Sequence, residues 1–232
     1  MKSASIYILL VISMALCSRM TVDAQEYRYE LGAMAGTSMY LGDANEIGYL
    51  RGWHPAGGLI FRNNLNFRWA LRADLMAGQL SGNTRDEQNA FPNQAQISFK
   101  RTWFGLNGKA EFNFLPYSDK YAYLNTSRLA PYLVTGLGIV VAPGDNRNFA
   151  GLQFPLGAGV KYKLKNRLNI GIEYTVYRLF GDALDAPTQS GFNLNNPYQV
   201  KQGWLKNNDW YNTLLLSITW EFGLRDGRCT TD

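Results

Sequence analysis

The residues of this chain that could take part in chemistry are few and scattered. The single histidine, His54, stands beside Pro55 in what reads as a loop, with no cysteine or second histidine nearby, so a zinc site cannot be assembled around it. Asp182 and Asp185, like Asp43 and Glu46, are spaced as paired carboxylates or calcium ligands would be. Aspartates in such turn-rich segments ordinarily bond their own backbone instead. No Gly-x-Ser-x-Gly elbow is present to expose a serine nucleophile. No catalytic residue, metal or cofactor is therefore expected, and no small-molecule substrate.

The other reactive groups are charges of both signs lying at alternate positions within apolar runs. Arg62, Arg72, Arg101, Lys109, Lys161 and Lys163 share this placement with Glu30, Asp74, Glu111, Glu173 and Glu221. Their parity also carries glycines and amides, while the opposite parity is apolar. A buried charge without a partner is costly, so near balance of sign on one parity implies an internal ionic network rather than a site for an anionic ligand.

Period-two alternation requires strands, and eight segments show it: 30–41, 57–65, 69–79, 101–115, 131–141, 154–164, 168–176 and 213–222. The last two are the cleanest. Leu168, Ile170, Ile172, Tyr174 and Val176 oppose Asn169, Gly171, Glu173 and Thr175; Leu214, Leu216, Ile218, Trp220 and Phe222 oppose Thr213, Ser217, Thr219 and Glu221. In a soluble β-sandwich the polar parity would meet bulk water. Here glycines mixed with charges of both signs suit a narrow lumen, and the apolar parity suits lipid. The expected fold is all-β, an eight-stranded antiparallel transmembrane β-barrel of the outer membrane, with a lumen filled by side chains.

Composition agrees with strands and tight turns. The chain is 46% hydrophobic and 14% aromatic with 23 glycines, a share that leans away from helices. Its net charge of +5 is dispersed rather than clustered, which gives no support to a nucleic-acid surface. Residues 1–24 read as a secretory signal peptide: Lys2, an apolar run over 6–16, and small residues up to Ala24. The run is shorter than a membrane anchor needs. Cys17 follows Leu16, where lipoprotein processing requires a small residue. Residues 25–223 then form the barrel and residues 224–232 a periplasmic tail holding Cys229, the one cysteine left after cleavage.

Connection lengths set the orientation. Short joints fall at 66–68 and 165–167; long ones fall at 42–56, 80–100, 142–153 and 178–210. Outer-membrane barrels put short turns in the periplasm and long loops outside, so both termini are expected to be periplasmic. The exception is 116–130, a long segment on the periplasmic side presenting Tyr117, Tyr121, Tyr123 and Leu124, which is expected to form a docking surface for a periplasmic partner. Aromatics near strand ends, including Trp69, Trp103, Tyr162, Trp220 and Phe222, suit the membrane interface, and outer-membrane lipid is an expected partner.

Four stretches resemble one family of Bacteroidota outer-membrane proteins, the PorG-like components of the type IX secretion system. They are 30–46 (ELGAMAGTSMYLGDANE), 61–80 (FRNNLNFRWALRADLMAGQL), 110–117 (AEFNFLPY) and 154–185 (FPLGAGVKYKLKNRLNIGIEYTVYRLFGDALD). The resemblance implies an outer-membrane component of a protein-secretion machine that supports export without conducting the cargo itself. Its implied partners are the periplasmic ring lipoprotein and a ring subunit, and Cys229 would be placed for an intermolecular disulfide with them. The competing expectation is a freestanding barrel whose extracellular loops bind ligands or other cells, because a fold does not carry a function.

Overall fold

The computed structural model describes residues 27–41, 53–83, 98–118, 125–143, 148–165, 167–180 and 210–224. Eight antiparallel strands lie in these segments: β1 (Tyr27–Leu41), β2 (His54–Asn64), β3 (Trp69–Asn83), β4 (Ser98–Asn113), β5 (Leu129–Ala142), β6 (Phe149–Lys165), β7 (Leu168–Phe180) and β8 (Trp210–Leu224). Each strand pairs with its sequence neighbours and β8 closes on β1, so no ladder edge is left open. Closure satisfies the backbone of every strand, the condition for crossing lipid.

Register fixes the geometry. Pairing followed once round the sheet from Tyr29 returns to β1 at Met39, ten residues up the strand. A stagger of this size in eight strands tilts them by roughly 40° and leaves an interior that side chains can fill.

Alternation separates two environments. Leu31, Leu71, Leu106, Leu137, Leu156 and Leu216 all point outward, each at least half exposed. Through the middle of every strand the outward positions carry no Asp, Glu, Lys or Arg. This apolar band is stable only against hydrocarbon. Among the described residues no helix is long and apolar enough to cross a membrane; the strands do the crossing.

The strands are longer than the alternation indicates, chiefly at one end. β3 and β4 stay paired to Asn83↔Ser98, and β5 and β6 to Ala142↔Phe149, inside segments read from sequence as loops. Above the hydrocarbon, lipid no longer selects apolar outward residues, but backbone pairing is still favourable. His54 is corrected in the same way: it is the first residue of β2 and shares a 2.5 Å hydrogen bond with Ser81 Oγ.

Short connections lie at the opposite end, where β1 begins and β8 finishes, and this end faces the periplasm. Residues 65–68 join β2 to β3 through an Asx turn in which Asn66 Oδ1 accepts from the backbone N–H groups of Arg68 and Trp69 at 2.9 and 2.7 Å. β6 and β7 are joined across 166–167. The longer β4–β5 connection folds back on itself, with Ser127 N–H donating to Pro116 O at 2.8 Å and Ser118 N–H to Ser127 O at 3.2 Å.

Candidate functional site

Inward-pointing side chains fill the described lumen in layers. At its centre Arg62 bridges Glu30 and Glu111, with Arg62 Nε 3.0 Å from Glu111 Oε2. Lys161 Nζ reaches the other Glu111 oxygen at 2.6 Å. Glu30 also accepts from Asn64 Nδ2 and Thr219 Oγ1, both at 2.9 Å, so its oxygens meet donors from β2 and β8.

A second cluster lies beside it. Arg72 holds Asp74 through two bonds of 2.6 and 2.8 Å and Glu173 through two of 2.5 and 2.8 Å. Both pairs are bidentate, the geometry in which a guanidinium is most strongly held. Lys109 Nζ sits 2.9 Å from Asp74 and 3.5 Å from Glu173, and Tyr132 OH donates to Glu173 at 2.9 Å. At 3.8 Å, Arg72 and Glu111 connect the two clusters.

The periplasmic mouth is closed by Tyr117, which the β4–β5 connection turns up into the barrel. Its ring is fully buried, its hydroxyl donates to Asn169 Oδ1 at 2.8 Å, and Lys161 Nζ stands 4.5 Å above the ring centroid. Asn169 in turn donates to Glu221, which pairs with Lys163 at 2.9 Å. Burial, with the carboxylates of Glu30 and Glu221, pushes the Tyr117 phenol above its usual range, so it stays a neutral donor. The turn residue Phe67 is buried beside it and its carbonyl accepts from Tyr117 N–H at 3.2 Å.

The outer half is aromatic. Tyr177 and Tyr211 stack in parallel at 4.5 Å, and Trp103 lies 5.0 Å from Tyr211. Tyr211 OH donates to Gln153 Oε1 and Gln153 Nε2 to Asn107 Oδ1, both at 2.6 Å. Inward glycines make room for these rings. A Cβ on Gly78 would lie 2.9 Å from the Trp103 ring, and one on Gly159 would lie 2.6 Å from Tyr132 Cζ.

The charges singled out in sequence thus meet here, with one exception. Arg62, Arg72, Lys109, Lys161 and Lys163 stand against Glu30, Asp74, Glu111, Glu173 and Glu221, five of each sign. Arg101 has the same parity but lies two residues beyond Trp103, half-buried towards the outer end of β4. Tyr117 is a lumen residue and offers no exposed side chain for docking. Tyr121, Tyr123, Leu124, Cys229, residues 1–24 and the carboxylates Asp43, Glu46, Asp182 and Asp185 lie outside the described residues. Sequence reasoning missed the aromatic outer layer: Trp103, read from sequence as a membrane-interface aromatic, is fully buried in the lumen and shares the inward parity with Tyr177 of β7 and Tyr211 of β8.

Among the described residues no group of three or more His, Cys, Asp or Glu side chains could hold a metal ion. The carboxylates are instead held by cations and amides on neighbouring strands. An apolar exterior, a closed ladder and a lumen occupied by paired charges and stacked rings define an outer-membrane β-barrel with a filled interior. The chain belongs to the family described as a domain of unknown function, DUF6089, which matches residues 6–231.

No curated protein matches the chain. Among solved structures it is similar to Ail, the attachment invasion locus protein of Yersinia pestis, with 12% identity over 85% of this chain and 100% of that one and a TM-score of 0.46. It is also similar to Neisserial surface protein A, with 10% identity, coverage of 84% and 97%, and a TM-score of 0.47. A third is the N-terminal β-barrel domain of OprF from Pseudomonas aeruginosa, with 13% identity, coverage of 85% and 100%, and a TM-score of 0.44.

Proposed function

We propose that the protein acts through its rims, as a sealed membrane anchor whose long outer connections bind ligands or neighbouring cells. The observation carrying this reading is the filled lumen: among the described residues, ionic clusters and stacked rings occupy the inward positions of the strands. Connections running from Leu41 to His54, Asn83 to Ser98 and Phe180 to Trp210 are far longer than antiparallel pairing needs. Shortening the Phe180–Trp210 connection to a Gly-Ser linker should leave the barrel folded, seen as heat-modifiable migration on gels. Attachment of expressing cells to surfaces coated with matrix protein or glycan should fall. Attachment equal to that of the full chain would count against the reading.

A second reading is favoured by the length of the β4–β5 connection at the periplasmic mouth and by the PorG-like stretches. In it the processed chain, without residues 1–24, is a component of the type IX secretion machinery, docked to the ring lipoprotein and ring subunit. Tyr121, Tyr123 and Leu124 supply the contact, and Cys229 supplies an intermolecular disulfide. Affinity purification from native membranes should then recover periplasmic ring proteins. Non-reducing gels should show a heavier species that is lost with reductant and in Cys229→Ser. Recovery of the barrel alone would rule this reading out.

A further inference from the structure

The periplasmic mouth carries a set of charges that the lumen network does not absorb. Arg68, Arg128 and Arg167 each stand one residue before an odd-numbered strand, β3, β5 and β7. Each offers its carbonyl oxygen to a backbone N–H near the end of the following even strand: Asn113 at 2.7 Å, Lys163 at 2.9 Å and Glu221 at 2.8 Å. The closing hydrogen bond of the ladder therefore fixes all three at equivalent points of the rim. Arg28, the second residue of β1, adds a fourth. In a closed sheet of eight strands the odd strands alternate round the circumference, so the four arginines ring the mouth.

All four are exposed, and no carboxylate among the described residues lies within ion-pair distance of any of them. Two rest over aromatic rings, and a third bonds the backbone beside an aromatic cluster. Arg28 lies 5.4 Å from the ring of Tyr29, which packs on Phe61 and Phe222 of the outward face. Arg68 Nη1 donates to Phe114 O at 3.4 Å, beside the outward cluster of Trp69, Phe112 and Phe114. Arg167 stacks 4.8 Å above Tyr27. Outward aromatic belts mark headgroup depth. An arginine stem lying on such rings carries its fork to the level of lipid phosphates, whose paired oxygens it fits.

We infer that these four arginines form a collar that binds the phosphodiester headgroups of anionic lipid in the periplasmic leaflet. Lipid surrounds the whole circumference, whereas a globular partner approaching from one side covers only part of the ring. The collar fixes the depth of the short turns in the membrane.

The test reconstitutes the full chain in phosphatidylcholine membranes containing spin-labelled phosphatidylglycerol or spin-labelled phosphatidylcholine, and compares the motionally restricted fraction of each. The wild-type chain should select phosphatidylglycerol, each arginine contributing on the order of a fivefold preference at low ionic strength, reduced by salt. Changing all four (R28Q, R68Q, R128Q and R167Q) should abolish selection while leaving heat-modifiable migration unchanged. R28Q alone, less demanding on folding, should weaken selection in part, and R28K, which keeps the charge without the fork, should restore only some of it. Equal selection by the wild-type and fourfold variant would overturn the inference, as would no selection by the wild type. Loss of an acidic periplasmic protein from the fourfold variant, without any lipid selection by the wild type, would overturn it in favour of a protein dock.

Discussion

Glu173 is where the lumen is most sensitive to a single change, because its carboxylate meets Arg72, Lys109, Tyr132 and Thr175 together. Removing it leaves two cations sharing Asp74 in a site closed to water. Breaking a buried ion pair from one side costs about 3–5 kcal/mol, far more than the pair contributes over an apolar replacement. Glu173→Leu should lower the stability of the refolded barrel by about this amount, read from urea titrations in detergent. Combining it with Lys109→Met should recover part of the loss, because the second change removes a stranded charge. A double variant no more stable than the single one would show that Lys109 gains nothing from Glu173. Parity alone indicated that Glu173 and Arg72 face inward, but not that they meet. Their partnership depends on the stagger, which brings β3 and β7 across the lumen and leaves no trace in local sequence.

The β4–β5 connection shows how an element can mislead when its length is all that is legible. Tyr117 follows Pro116 in a long periplasmic segment, and aromatic residues in such segments read as docking groups. The fold instead turns the ring inward, because the mouth below Lys161 and Lys163 holds cations whose upper faces need cover and an Asn169 carbonyl that needs a donor. Tyr117→Ala should cost about 3–5 kcal/mol, the range for large buried aromatics. Tyr117→Phe keeps the ring and loses only the bond to Asn169, so it should cost about 1–3 kcal/mol. Equal losses in the two would mean that the hydroxyl, not the ring, holds the connection in place. At the outer end, strands outlast their alternation because lipid had ceased to select their outward residues. The inward glycines had a cause that sequence could not name: Gly159 is small because Tyr132 of the neighbouring strand lies across it. Gly159→Val should destabilise the barrel by about 1–3 kcal/mol, the usual cost of overpacking.

At the scale of the whole barrel, the seals act in series. From the outside inward a solute meets the Trp103, Tyr211 and Tyr177 rings, then the Arg72–Glu173 and Arg62–Glu111 clusters, then Tyr117 at the periplasmic mouth. The closed fold and its two faces were legible from alternation, since lipid outside and a narrow lumen inside constrain every strand at once. The division of the interior into an aromatic and an ionic half was not, since either chemistry fills inward positions equally well. Serial sealing has a consequence for conductance in planar bilayers. The wild-type barrel should give no discrete current steps. Truncating the outer rings with Trp103→Ala and Tyr211→Ala should destabilise the fold yet still give none, because the ionic clusters hold the lumen closed behind them. Adding Arg72→Ser and Glu173→Ser removes one cation and one carboxylate while keeping Lys109 paired with Asp74. Steps should still be absent while the Arg62–Glu111 cluster and Tyr117 stand behind, and should appear only when Arg62→Ser, Glu111→Ser and Tyr117→Ala are added to this background. Steps from the ring-truncated variant alone would show that the aromatic layer is the sole barrier and that the salt bridges brace the strands without sealing the lumen.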